Sequence, residues 1–159
     1  MDIKETLFGP RRYLVLGKSI STNQITDKKM YEEAGKKLGK YIRENELSRS
    51  SGWSVLYFSW DKINKKAEIG IAVPINKFLA VEDPEIAFVE IPKCKASMNI
   101  LQGRYEGLGT IHECLIKYII KNGYDTDDIT VMAVEEYVKD PLDDPDPKNW
   151  QTNVYYLHN

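Results

Sequence analysis

The sequence predicts an α+β fold: duplicated β-α-β-β units forming one antiparallel sheet, with helices on one face and a ligand cleft at the seam between the halves. Three observations predict it. Two stretches carry apolar residues at helical spacing, each with one buried stripe and a polar outer face. Runs rich in β-branched and aromatic residues, bounded by turn-forming residues, stand on both sides of each. The order strand, helix, strand, strand then occurs twice, over roughly residues 11–75 and 88–159, as a repeat of pattern and not of residue identity. A chain of 159 residues is expected to hold these half-repeats in a single domain, 1–159.

In chain order, residues 12–20 read as the first strand. Thr26 or Asp27 is placed to cap a helix over 27–45, where Met30, Tyr31, Ala34, Leu38, Tyr41 and Ile42 form the stripe. Ser48 to Gly52 reads as a loop, 53–60 as a strand, Asp61 to Lys66 as a polar turn and 67–75 as the hairpin partner. After a connector over 76–87, the second half starts at Phe88 to Pro92. It continues in a strand over 95–102 and turns at Gly103 to Gly107. Leu108, Ile111, Leu115, Tyr118 and Ile119 make the second helical stripe, with Gly123 as a left-handed cap. A strand over 129–139 runs into Asp140-Pro141, a loop dense in Asp and Pro follows, and 151–158 is the last strand. Two such units place their helices on one face of a twisted sheet and leave the other face free.

The 129–139 strand holds an anomaly, the acidic pair Glu135 and Glu136 in an otherwise apolar run. Alternation puts Met132, Val134 and Val138 on one face and Ala133, Glu135 and Tyr137 on the other. The first set is expected to meet the helices and the second to line the free face. Exposed, Glu135 and Tyr137 are an ordinary sheet surface; walled by aromatics, they are a site for a cationic or protonatable group. Glu136 reads as a strand-end surface residue or a helix partner. Ten Tyr, three Trp and four Phe are available for such walls or for the core. Aligning the two hairpin turns sets Phe58 at the place of Glu135 and Trp60 at that of Tyr137, on the opposite wall of the same cleft or in the core. Trp150 and Tyr155 flank the last turn and strand, where they close the cleft mouth or simply pack. Tyr105 reads as the anchor of the second helix start. A ring face attracts a cation by ~0.5–2 kcal/mol.

Composition excludes several functions. The net charge is −2 with Lys and Arg scattered, which offers no footprint for nucleic acid. No apolar run approaches the ~20 residues of a membrane span, and the first residues lack the pattern of a signal peptide. A cytoplasmic protein is expected, with Cys94 and Cys114 as reduced thiols and Cys114 buried in the second helix. His112 and His158 are too few and too isolated for zinc, the four Asp of the 140–147 loop read as solvated, and no phosphate loop is present. No metal and no cofactor is expected.

Four stretches carry a resemblance: Lys95 to Leu108 with its Gly-x-Tyr-Glu turn, the helix to Gly123-Tyr124, Val134 to Pro141 with Glu-x-Tyr and Asp-Pro, and Asn149 to Tyr156. In this order they resemble the GyrI-like small-molecule-binding domain, the SOUL-like duplicated fold that is also the effector-binding domain of AraC- and MerR-type multidrug regulators. The match is in residues over 88–159 and in pattern alone over 11–75. It implies a bacterial protein with a ligand cleft between the halves, in which a buried Glu, here Glu135, meets cationic aromatic compounds. Some members are described as hydrolases of cyclopropane-bearing, DNA-alkylating natural products, which here implies roles for Glu135 and Tyr137. Others are described as partners of DNA gyrase. With no helix-turn-helix pattern before residue 11, direct DNA binding is not expected. The leading expectation is a stand-alone receptor for drug-like cationic or aromatic molecules, bound by Glu135, Tyr137, Phe58, Trp60, Trp150 and Tyr155. A hydrolase in the same cleft and a modulator binding gyrase or a separate transcription regulator are the alternatives.

Overall fold

Alternating and helical apolar patterns resolve into eight strands and two helices among the described residues. The computed structural model describes residues 2–48, 52–78 and 80–159; part of the loop read at Ser48 to Gly52 lies outside them. The elements are β1 (Lys4–Phe8), β2 (Arg11–Ser21), α1 (Lys28–Glu44), β3 (Ser54–Asp61), β4 (Lys66–Pro74), β5 (Ile86–Ile91), β6 (Cys94–Gln102), α2 (Leu108–Lys121), β7 (Ala133–Lys139) and β8 (Gln151–His158). Asp27 caps α1, its carboxylate accepting from Lys29 N–H at 3.1 Å. Gly123, at φ +61°, ends α2: its N–H donates to Ile120 O and that of Tyr124 to Ile119 O, the paired bonds of a left-handed cap.

Two elements differ from the sequence reading. β1 was not expected, because Lys4 to Phe8 is an edge strand in which only Phe8 is buried and so carries almost no apolar signal. β7 starts at Ala133, not at residue 129. Asp128 turns the chain at φ +64°, and Met132 N–H reaches Tyr57 O at 2.8 Å outside the regular ladder.

The strands form one antiparallel sheet in the order β1-β6-β8-β7-β3-β4-β2-β5. This order is palindromic about the β7–β3 seam, where Glu135 faces Val55. Each half lends its leading strand to the other, β1 pairing with β6 and β5 with β2. Only Gly9 and Pro10 separate β1 from β2, although these stand first and seventh in the sheet. Pro92 and Lys93 alone link β5 to β6, eighth and second. The two ends of the sheet therefore meet, and the sheet curls into a half-barrel. At the meeting point Gly9 has φ +83°, and a Cβ on it would stand 2.7 Å from Pro92 O, so only glycine fits. Arg11 of β2 reaches Glu136 of β7 at 3.2 Å across two intervening strands, which the curl alone makes possible.

Both faces of the sheet are buried. On one, Ala34, Leu38 and Ile42 of α1 and Ile111, Leu115 and Ile119 of α2 pack on Leu14, Tyr57, Ala133 and Tyr156. On the other, inside the curl, Phe8, Tyr13, Leu56, Val134 and Tyr155 form a second core without helices. The expected faces of β7 are thus exchanged. Ala133, Glu135 and Tyr137 do share a face, but it is the one under the helices. The curl closes the helix-free face as well, so β7 shows no contrast of polarity that could have told the two apart. Leu115→Ala, at a fully buried site, is expected to cost about 2–5 kcal/mol in urea unfolding, whereas Ile120→Ala on the exposed side of α2, where Ile120 is 73% exposed, is expected to change stability by less than about 0.5 kcal/mol.

Candidate functional site

A carboxylate on the helix face of β7 is flanked by Val55 on β3 and Val154 on β8, and Glu135 is 2% exposed. Burying that charge costs several kcal/mol unless donors replace its water. Three do so. Tyr57 O–H donates to Oε2 at 2.9 Å, Tyr137 O–H donates to Oε1 at 2.7 Å, and His112 Nε2 stands 2.6 Å from Oε2. His112 Nδ1 meets the Tyr156 hydroxyl at 2.6 Å. A hydroxyl can accept from Nδ1–H or donate to a bare Nδ1, so this contact serves both imidazolium and imidazole. Among the described residues no lysine or arginine pairs with Glu135.

The local two-fold of the sheet explains the two phenols. β3 has a register shift between Tyr57 and Ser59, and β7 has one between Tyr137 and Lys139. These bulges place Tyr57 and Tyr137 at equivalent positions, two residues beyond Val55 and Glu135. The halves therefore send one phenol each to a single carboxylate, one per oxygen. The symmetry is broken at two points. Val55 answers Glu135 across the seam. Matching the buried triads of the two helices sets Gly35 of α1 against His112 of α2.

The sequence-derived candidates divide between the faces. Tyr137 binds Glu135, and its ring meets Tyr105 edge-on at 5.7 Å. Tyr105 stacks on Trp150 at 5.3 Å, and Trp150 Nε1–H donates to Asp144 O at 2.7 Å. Trp60 lies 6.1 Å from Tyr57 and pairs with Ala67 on the helix face. Glu135, Tyr137, Trp60 and Trp150 are thereby joined through Tyr57 and Tyr105. Phe58 and Tyr155 are not with them. Phe58 is the bulged residue and packs inside the curl; Tyr155 also lies there, 4.8 Å from Phe8. Strict alternation puts Phe58 and Trp60 on one face, and the bulge separates them. It also replaces the expected match of Phe58 with Glu135 by that of Val55 with Glu135. Glu136, on the opposite face, takes Arg11 and Asn153 as partners.

Sequence reasoning missed Tyr57, Tyr156 and His112. For His112 a signal exists, since it stands between Ile111 and Leu115 on the apolar stripe of α2, where a histidine needs a buried partner. The other histidine, His158, lies under the end of α2, stacked on Tyr124 at 4.1 Å and 3.4 Å from Glu5. In the 140–147 loop, Asp140, Asp144 and Asp146 accept from the backbone N–H groups of Leu142, Asp146 and Lys148. An open groove beside α1, lined by Lys36, Lys37, Lys40 and Asp83, is remote in character from the Glu135 site; Lys37 there already pairs with Asp83 and Glu85.

No protein-family model matches the chain, and no curated protein matches it in sequence. Solved structures do match in fold. EcmrR in a complex with DNA aligns with a TM-score of 0.79 at 16% identity, over 99% of this chain and 57% of that one, so the present chain spans little more than half of its length. The EcmrR C-terminal domain aligns at 0.72 and 17% identity, over 100% and 99% of the two chains. SAV2435 bound to tetraphenylphosphonium aligns at 0.70 and 12% identity, over 100% and 94%. The curled eight-stranded antiparallel sheet with two helices is consistent with a GyrI-like fold.

The site holds its phenols protonated. Burial first, and then the charge of Glu135, push the Tyr57 and Tyr137 hydroxyls well above the ordinary phenol range. The same two causes raise Tyr31 and Tyr156. Tyr105 is pushed up to about 12 by burial and by Asp140, Asp143 and Glu135. For a phenol raised in the folded state, the linked stability is complete below the unfolded value of about 10 and is lost as pH climbs towards the folded value. Unfolding free energy is therefore expected to stay level up to about pH 10 and to fall above it. Urea titrations at stepped alkaline pH, read beside tyrosinate absorbance, check this.

Proposed function

We propose that the protein is a receptor for bulky organic cations with delocalised charge, of the GyrI-like effector-binding kind, acting in the cytoplasm as one folded domain. One observation carries the reading: Glu135 is buried at the seam of the two halves, enclosed by aromatic rings, and bonded to three donors of which none is a lysine or arginine. Such a carboxylate is poised for a cation that sheds water easily, because a low-dielectric surround strengthens the pairing. Rings at its rim add attraction of ~0.5–2 kcal/mol each. The ligand lies between α1 and α2 and reaches the carboxylate from the α1 side, where Gly35 has no side chain to answer His112 and the Trp53 ring packs 3.7 Å from where a Cβ would stand. Tyr137, Trp60 and Trp150 from the sequence reading, with Tyr31, Tyr57 and Tyr105, form the walls. The tetraphenylphosphonium bound by SAV2435, a protein of similar fold, is a ligand of this class. The occurrence of the fold in EcmrR, which is seen on DNA, supports a role in which ligand binding is reported to a regulator.

The test is tryptophan quenching by tetraphenylphosphonium and by the neutral triphenylphosphine oxide. The cation is expected to bind more tightly than the neutral compound. Glu135→Gln is expected to weaken the cation by about tenfold or more, because a bond to a charged group is worth ~1.5–3 kcal/mol. Equal binding of both compounds, or no loss in the variant, would sink the reading. Mass spectrometry of recovered electrophilic compounds separates it from hydrolysis, which would add one water only with the wild-type protein.

A further inference from the structure

His112 is the one basic side chain among the described residues that touches Glu135, and it is partly open to solvent, with 16% of its side chain exposed. Its two nitrogens are held at 2.6 Å each, Nε2 on the carboxylate and Nδ1 on the Tyr156 hydroxyl. The second contact is the informative one. Tyr156 is 5% exposed, and its hydroxyl can reverse roles, accepting from Nδ1–H or donating to a bare Nδ1. The ring can therefore lose the Nδ1 proton without losing a contact or moving.

Resting on the receptor reading of the Glu135 site, we propose that His112 is the internal cation that the ligand replaces, so that binding a permanent organic cation expels the Nδ1 proton of His112 to solvent. In the ligand-free site the imidazolium balances Glu135. A ligand cation arriving on the α1 side would place a second positive charge against one buried carboxylate, and two like charges at that range in a dry site repel strongly. The imidazolium relieves this by giving up its Nδ1 proton, while Nε2–H stays on Glu135. One positive charge enters and one leaves, and the net charge of the site is conserved. Among the described residues, the other titratable groups facing the pair are phenols: Tyr137 from β7, Tyr57 from β3 with its ring 5.0 Å from His112, Tyr156 from β8, Tyr105 before α2 and, on the α1 side, Tyr31. All five are held protonated, which leaves His112 as the group able to release a proton. Gly35, its counterpart on α1, cannot take this role, and the asymmetry of the two halves thereby gives the site one cation-binding side and one proton-releasing side.

The experiment is calorimetric titration of the whole chain with tetraphenylphosphonium, at one acidic pH, in two buffers of different ionisation enthalpy. The wild-type protein is expected to show different apparent heats in the two buffers, corresponding to up to one proton released per ligand. Its affinity is expected to rise with pH by up to about tenfold per unit, the limit for one proton released per ligand. His112→Gln keeps a donor for Glu135 and is expected to give equal heats in both buffers and an affinity that does not change with pH. In the unmutated protein, the nitrogen resonance of His112 Nδ1 is expected to pass from the protonated to the unprotonated range on adding ligand. Equal heats for the wild type, a pH slope that survives in His112→Gln, or an Nδ1 resonance that stays protonated would overturn the proposal while leaving Glu135 as the receptor carboxylate. Absence of tetraphenylphosphonium binding, or full binding by Glu135→Gln, would remove both.

Discussion

One buried carboxylate constrains the middle of this structure. Glu135 stands where the two halves of the sheet meet, and its oxygens need more donors than its own strand supplies. The chain meets that need by convergence. Tyr57 arrives from the first half and Tyr137 from the second, and His112 descends from α2. Each donor is itself held, His112 by Tyr156 and Tyr137 by the edge of Tyr105. Removing the charge would leave phenols pointing at one another. Burying it without them would cost more than a marginally stable domain can spare. The network is thus both a condition of the fold and the source of the chemistry proposed for it.

The curl of the sheet is what makes such burial possible. A flat eight-stranded sheet with helices on one side exposes its other face. Here two-residue links join strands at opposite ends of the sheet, so the helix-free face closes on Phe8, Tyr13 and Tyr155. With that face satisfied, the helix face is covered by α1 and α2 with loop residues such as Leu47, Trp53 and Tyr124, and the strip between the helices falls on the seam. Polar side chains collect there because neither helix covers it fully. The exchange of leading strands ties each half to the other, so the two-fold arrangement and the seam are maintained by the same short links.

The bulges in β3 and β7 decide which aromatic rings belong to the site. One extra residue in β3 sends Phe58 into the curl and returns Trp60 to the helix face. Counting by twos along the sequence cannot anticipate this, because a bulge depends on the partner strand. The same limit explains Tyr155 and Tyr156. They are neighbours in sequence with opposite destinations, one against Phe8 and one against His112. Glu135 and Tyr137 share a face because both lie on the same side of the bulge, two residues apart, where alternation still holds.

By itself the sequence determined the strand-helix-strand-strand order of each half, both helices with their buried stripes, a first cap at Thr26 or Asp27 and a second at Gly123, and Glu135 as a charge that an apolar strand does not explain. These are local matters of spacing and backbone preference, carried within a few residues. Tertiary structure alone decided which face of β7 lies under the helices, that a charged edge segment at Lys4–Phe8 joins the sheet, and that His112 and Tyr156 complete a chain to Glu135. Those outcomes rest on contacts between residues tens of positions apart, such as the 57–135 and 112–156 pairs. A hydrogen-bond partner so remote is chosen by strand pairing and by the packing of α2 on the sheet, and no periodicity along the chain records it.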